Sequence, residues 1–142
     1  MTDPSQMTIL LVEDDDVAAE SVVRSLTRAG LTIPVVWAED GEIALQVLRG
    51  RDPKRHAPRP RVVLLDLNMP RMNGLEFLQH LRADPDLHNE VVFVLTTSDS
   101  ETDRERAYHA NVAGYMVKSM VGPQFSKLAQ LVQCYRTTML FP

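Results

Sequence analysis

The chain is predicted to be a single α/β domain in which a five-stranded, mainly parallel sheet carries helices on both faces. Five short apolar runs alternate with five helical patterns, and this alternation requires crossover connections between parallel strands. A length of 142 residues leaves room for one domain, since domains hold about 100 to 200 residues. The 44% of hydrophobic residues is enough for a core without disulfides. The alternation alone leaves the order of the strands open.

The first strand is indicated by the apolar run 9–12, which ends abruptly in four acidic residues. A strand buried on both faces ends in this way at its carboxyl edge. An apolar stripe at helical spacing then reaches Gly30, and an acid at position 15 or 16 can cap its start. A second strand is predicted over 34–38 and a second helix over 41–49.

The other elements repeat the same order of strand and helix. Ser98 and Glu101 have the spacing of a capping box for the fourth helix, and Pro123 suits the first turn of the fifth. The remaining strands and helices are predicted, in chain order, over residues 62–65, 75–81, 91–95, 101–111, 114–117 and 123–138.

The composition disfavours some classes of partner and indicates the compartment of the protein. Lys and Arg number 15 against 19 Asp and Glu, and this net charge of -4 argues against nucleic acid or an anionic membrane as the main partner. The single cysteine, Cys134, cannot form an internal bridge. No apolar signal segment opens the sequence, and the apolar runs are too short to cross a bilayer. We expect a cytoplasmic protein with a disordered lead-in (1–6), a domain (7–136) and a tail (137–142).

The irregular stretch 49–61 contains three prolines and six of the 15 basic residues. One interpretation is a docking surface for an acidic partner. The other is a solvated insertion whose charges keep it off the fold.

Polar side chains follow the carboxyl ends of four predicted strands, where open parallel sheets bind their ligands. Glu13 and Asp14 follow the first strand, Asp66 the third, Thr96 the fourth and Lys118 the fifth. Crowded carboxylates repel one another unless a cation neutralises them. Because the donors are oxygen atoms, Mg²⁺ suits this cluster better than Zn²⁺.

Such a cluster is suited to phosphoryl chemistry. A carboxylate at Asp66 held near Mg²⁺ can attack phosphorus and become an aspartyl phosphate. Lys118 would balance charge on the transferred oxygens, and the Thr96 hydroxyl would donate a hydrogen bond to one of them.

The predicted strand ends and the loops beside them carry Glu13-Asp14, Asp66-Leu67-Asn68-Met69-Pro70 with Asn73-Gly74, Thr96, Gly114-Tyr115 and Lys118. Together these residues resemble the receiver domain of two-component response regulators. The resemblance implies a flavodoxin-like, doubly wound sheet of order 2-1-3-4-5. It also implies a signalling module that accepts a phosphoryl group from a sensor histidine kinase and catalyses only its own phosphorylation and dephosphorylation.

The resemblance assigns a role to each position. Asp66 becomes the phosphoacceptor, and Asp14 and Asp66 become carboxylate ligands of Mg²⁺. The backbone carbonyl of Asn68 is the third protein ligand, and Glu13 acts through water. Thr96 and Lys118 contact the phosphoryl group. Tyr115 matches an aromatic position that swings inward with the threonine; otherwise it is a half-buried strand residue.

Three departures from the family pattern carry expectations of their own. Ser119 stands where most receivers have proline, so we expect a trans Lys118–Ser119 bond, because a cis bond before a non-proline residue costs about 3 to 4 kcal/mol. The long acidic run leaves Asp15 as a second choice for the ligand at Asp14. Ser98 lies two residues after Thr96, at a position that tunes the access of hydrolytic water in the family.

The Thr-Thr-Ser run, the Lys-Ser pair and the extended C-terminus are similar to the single-domain regulators of bacterial phytochromes, which makes a bacteriophytochrome kinase an expected partner. The chain ends 19 residues after Pro123, so no DNA-binding output module is expected. Two other functions fit the sequence less well. A hydrolytic phosphatase is disfavoured because Asn68 stands where such enzymes need an acid, and a pseudo-receiver is disfavoured by the intact site residues.

The C-terminus suggests a homodimer through the last helix and tail. A monomer would leave several apolar side chains exposed, and contiguous exposed apolar surface usually marks an interface. The alternative is a tail folded back onto its own domain. The residues concerned are Leu131, Tyr135, Met139, Leu140 and Phe141.

Overall fold

A computed structural model of the chain describes residues 7–122 and 125–142. Its five strands form one sheet in the order β2-β1-β3-β4-β5, and every neighbouring pair is parallel. The predicted α/β class and strand order are therefore confirmed. The strands are β1 (Thr8–Val12), β2 (Val35–Ala38), β3 (Arg61–Leu65), β4 (Val91–Thr96) and β5 (Gly114–Val117).

Five α-helices connect and cover these strands. They are α1 (Asp16–Arg28), α2 (Gly41–Leu48), α3 (Gly74–Ala83), α4 (Glu101–His109) and α5 (Ser126–Thr138), with a short 3-10 helix (Lys118–Met120) directly after β5. The predicted first turn at Pro123 and the predicted lead-in at 1–6 lie outside the described residues.

Alternating strand residues build two cores, one on each face of the sheet. Leu10 and Val12 point into a core with α2, α3 and α4, whereas Ile9 and Leu11 point into a core with α1 and α5. This is why each strand reads as a continuous apolar run rather than an alternating one. Helices on both faces leave the carboxyl ends of the strands as an open rim.

The start of α4 differs from the sequence prediction. Ser100 is the N-cap and accepts a hydrogen bond from the backbone of Asp103, so Ser98 and Glu101 do not form the expected capping box. A capping box is present instead at α3, between Asn73 and Glu76.

Ion pairs hold the basic loop 49–61 against the domain, which disagrees with the interpretation of a solvated insertion kept off the fold. Arg55 pairs with Glu39, Arg49 pairs with Asp84, and Arg61 forms a two-pronged pair with the buried carboxylate of Glu90. Carboxylates of the same chain therefore neutralise much of the loop's positive charge.

The C-terminal tail packs partly on its own domain. Tyr135 lies edge-on to Phe93, with ring centroids 5.3 Å apart, and Phe141 lies edge-on to Tyr135 at 5.4 Å. The expectation that a monomer exposes all five apolar residues is therefore wrong, because Leu131, Tyr135 and Phe141 pack against the core. Met139 and Leu140 remain exposed. No helix among the described residues has the length and apolar character to span a membrane.

Candidate functional site

The candidate site is built where β1 and β3 end side by side. Val12 is level with Leu65 in the sheet, so Glu13 and Asp66 leave their strands as neighbours. The ladder continues one residue further, since the Asp66 N–H donates to the Val12 carbonyl at 3.0 Å and the Glu13 N–H to the Ala38 carbonyl at 3.1 Å. Both acidic residues therefore stand on backbone fixed by the sheet.

Three carboxylates converge at this edge. Oxygen atoms of Glu13, Asp14 and Asp66 lie within 4.8 Å of one another. Glu13 and Asp66 are buried, and Asp14 is exposed. Three hard oxygen donors at this spacing suit a divalent metal ion such as Mg²⁺ or Mn²⁺.

Asp15, the alternative ligand, has a different role. Its side chain caps α1 by accepting a hydrogen bond from the Val17 N–H at 3.0 Å. The local geometry therefore places Asp14, rather than Asp15, with the other carboxylates.

Lys118 reaches the cluster from the end of β5. Its Nζ lies 2.5 Å from Glu13 Oε1 and 3.5 Å from Asp66 Oδ2. Burial, together with the negative charge of Asp66, raises the pKa of Glu13 to about 7, although Lys118 opposes this rise. Burial would lower the pKa of Lys118, but the bond to Glu13 and the charge of Asp66 raise it. The ammonium group is therefore charged at neutral pH.

The Lys118–Ser119 bond is trans, as predicted; the cis bond among the described residues is Arg59–Pro60.

The loop after β3 holds Asp66 through its neighbours. The Asn68 N–H donates to Asp66 Oδ1 at 3.2 Å, and the Asn68 side-chain amide lies 3.4 Å from Thr97 Oγ1. Gly74 approaches the same segment so closely that a Cβ would lie 2.5 Å from the Asp66 carbonyl oxygen. Asn68 thus joins the loops that follow β3 and β4.

Thr96 and Tyr115 lie on the last two strands. Thr96 is fully buried at the end of β4, and its Oγ1 accepts a hydrogen bond from the Ser98 N–H at 3.3 Å. Tyr115 is half-buried, and its hydroxyl donates to the Ser98 carbonyl at 3.0 Å. Ser98 therefore connects Thr96 and Tyr115, the two residues of the predicted switch.

Two contacts at the site were not predicted. The indole N–H of Trp37, the single tryptophan, donates to the Glu13 carbonyl at 2.7 Å. Arg71, in the loop before α3, pairs with the buried carboxylate of Asp40 at the start of α2. Both contacts join residues more than twenty positions apart, and no local pattern marks them.

Comparison with known proteins finds a family model and several relatives that match most of the chain. Residues 9–132 match the family described as the response regulator receiver domain. The response regulator Rcp1 of Synechocystis sp. is 33% identical over 127 residues, which span 89% of this chain and 86% of that protein. A probable methanogenesis regulatory protein, FilR2 of Methanothrix harundinacea, is 35% identical over 89% of this chain and 81% of its own length.

Solved structures show the same likeness. The phosphorylated cyanobacterial phytochrome response regulator RcpA superposes with a TM-score of 0.83 and 32% identity, covering 95% of this chain and 97% of that one. The Mn²⁺-bound form of Rcp1 superposes with a TM-score of 0.81 and 32% identity, covering 96% and 99%.

Proposed function

Because this chain belongs to the response regulator receiver domain family, we propose that Asp66 accepts a phosphoryl group from a sensor histidine kinase in a Mg²⁺-dependent reaction. Receiver domains bind divalent metal and act in signalling, and the proposal assigns specific residues to that activity. The observation that carries it is the meeting of Glu13, Asp14, Asp66 and Lys118 at one rim of the sheet, although they are distant in sequence.

The donor set fits a hard cation. Asp14 and Asp66 would hold Mg²⁺ together with the backbone carbonyl of Asn68, and Glu13 would act on the ion through water. The bound ion would offset carboxylate repulsion and charge on the phosphoryl oxygens. Asp66 supplies the nucleophilic oxygen, and Lys118 places a positive charge beside it. The Thr96 hydroxyl accepts from Ser98, so its own proton can be donated to a phosphoryl oxygen.

The proposed output is a conformational switch. A phosphoryl group brings about -1.5 to -2 charges and three strong acceptors to the rim. It attracts Lys118 and the Thr96 hydroxyl, which lie at the ends of β5 and β4. Tyr115 follows because it shares Ser98 with Thr96. The outer surface at α4 and β5 would then differ between the two states.

The exposed apolar side chains beside the site support docking of a kinase. Val17, in the first turn of α1, is 68% exposed, and Met120, just after Lys118, is 72% exposed. We propose that this chain acts in the cytoplasm with a histidine kinase partner, and with a bacteriophytochrome within that class, because the phytochrome response regulator RcpA resembles it over nearly its whole length.

We also propose a homodimer through α5 and the tail. Leu140 is 93% exposed and Met139 is 45% exposed, while the neighbouring Phe141 is fixed against Tyr135. An apolar pair held at a defined place on the surface is suited to pairing with a second copy.

Intact mass after incubation with Mg²⁺ and acetyl phosphate tests the phosphoacceptor. We expect the native chain to gain one phosphoryl group and the Asp66→Asn chain to gain none. Asp16→Asn is the matched control, because Asp16 is an exposed aspartate at the start of α1. An equal gain in the Asp66→Asn chain would contradict the assignment, and omission of Mg²⁺ should abolish the gain in the native chain.

A further inference from the structure

All the hydrogen-bonding groups of Ser98 are engaged. Its N–H donates to Thr96 Oγ1 at 3.3 Å, and its carbonyl accepts from the Tyr115 hydroxyl at 3.0 Å. Its hydroxyl accepts from the Ser100 N–H at 3.3 Å and donates to Asp103 Oδ2 at 2.7 Å. Of these bonds, the one to Asp103 is to a charged group, and such bonds are about twice as strong as neutral ones.

Through Asp103, Ser98 is bonded to helix α4. It lies in the first turn of α4, where its own N–H donates to the N-cap, Ser100, at 3.3 Å. A carboxylate in the first turn also interacts favourably with the positive end of the helix. The Asp103 side chain is therefore held at the same time by α4 and by Ser98.

We infer that Asp103 is a positioning residue for phosphoryl uptake at Asp66: through the Ser98 hydroxyl it holds Thr96 in place and ties Thr96 to α4. The inference rests on the proposed function. A shift of the Thr96 hydroxyl either stretches its bond to the Ser98 N–H or moves Ser98 with it, and a shift of Ser98 stretches its bond to Asp103 or Tyr115. Asp103 therefore fixes the loop before the phosphoryl group arrives and transmits its displacement to α4 afterwards.

Asp103→Asn tests this inference, with Glu101→Gln as the matched control. Both substitutions remove one carboxylate charge from the first turn of α4, but Ser98 bonds to Asp103. With Mg²⁺ and acetyl phosphate, we expect the Asp103→Asn chain to take up the phosphoryl group about fivefold more slowly, the difference expected between a charged and a neutral hydrogen bond. The Glu101→Gln chain should stay within about twofold of the native rate.

A double-substitution cycle separates positioning from a purely structural role. If Asp103 acts through Ser98, adding Asp103→Asn to a Ser98→Ala chain should slow uptake no further. Urea unfolding of each variant measures stability independently, and a purely structural role would lower stability while leaving the uptake rate of the folded chain unchanged.

The outcomes are distinguishable. A native uptake rate in the Asp103→Asn chain, or a full additional slowing in the Ser98→Ala background, overturns the positioning role while the phosphoacceptor assignment stands. Failure of the native chain to take up any phosphoryl group would overturn the proposed function, and the inference would fall with it.

Discussion

At the scale of single residues, Gly74 allows the start of α3 to lie in close contact with the backbone of Asp66. A Cβ at this position would lie 2.5 Å from the Asp66 carbonyl oxygen and 2.6 Å from Leu67 Cα. Both are backbone atoms, which cannot turn aside as a flexible side chain does. The glycine therefore allows α3 to begin directly against the loop that holds the phosphoacceptor.

We expect Gly74→Ala to lower the free energy of unfolding by about 3 kcal/mol, because relief of this overlap requires the backbone to shift. Mg²⁺ binding should weaken as well, since Asp66 moves with that backbone. Urea unfolding measures the first effect. Titration of the emission of Trp37, which is bonded to the Glu13 carbonyl, measures the second.

Gly41→Ala is the comparison for Gly74→Ala. A Cβ at Gly41 would lie 3.0 Å from Met72 Sδ, in a flexible side chain, and 3.2 Å from Phe77 Cβ, so shifts of a few tenths of an ångström would relieve both contacts. This variant should lose at most about 1 kcal/mol and bind Mg²⁺ normally. Equal losses in the two variants would show that the backbone contact of Gly74 is not decisive.

At the scale of elements, the start of α2 is joined to the loop before α3 by Asp40 and Arg71. Burial alone would raise the pKa of Asp40, but the Ile43 N–H and the Arg71 guanidinium outweigh it and hold the pKa below its ordinary value of 3.8. A carboxyl with a lowered pKa in the folded state contributes stability above its unfolded pKa. That stability is lost as the pH falls through the folded pKa.

Asp40→Asn retains a good N-cap but removes the charge that Arg71 contacts. We expect this variant to be about 1 kcal/mol less stable than the native chain at pH 7, since Arg71 is largely exposed. The difference should disappear in acid, below the folded pKa of Asp40. Urea unfolding at both pH values checks this. Glu42→Gln, an exposed acid in the same first turn, should give a smaller and nearly pH-independent change, and a difference for Asp40→Asn that persists in acid would contradict the ion-pair explanation.

The strands could be predicted from the sequence, whereas the start of α4 could not. The strands are predictable because four of the five apolar runs end on a polar residue of the candidate site, as with Asp66 and Thr96. The cap of α4 was not predictable, because Ser98 and Ser100 each precede an acid by three positions. The choice is made by contacts of Ser98 with Asp103 and Tyr115, and such tertiary contacts leave no local pattern.

At the scale of the whole molecule, the two ends of the sheet have different tasks. The charged site lies at the carboxyl ends of the strands, whereas Arg82 holds the amino ends of β4 and β5 in place. Its guanidinium donates to four backbone carbonyls, which belong to His88, Glu90, Ala110 and Asn111. Rigidity at one end lets the loops at the other end respond to a change in charge without loss of the fold.

The tail gives the last test at this scale. If the exposed apolar pair Met139 and Leu140 joins two copies, light scattering of the native chain should give about twice the 16.0 kDa of one chain. Leu140→Glu should return the mass to that of one chain, because it places two charges in a desolvated contact between symmetric copies. Its unfolding in the dissociated state should be nearly unchanged, since Leu140 contributes little packing within one domain. Gln46→Glu, an exposed change on α2 at the opposite face of the sheet, should leave the dimer intact. A native mass of one chain at about 100 µM, or a Leu140→Glu chain of unchanged mass, would show that the tail serves its own domain alone.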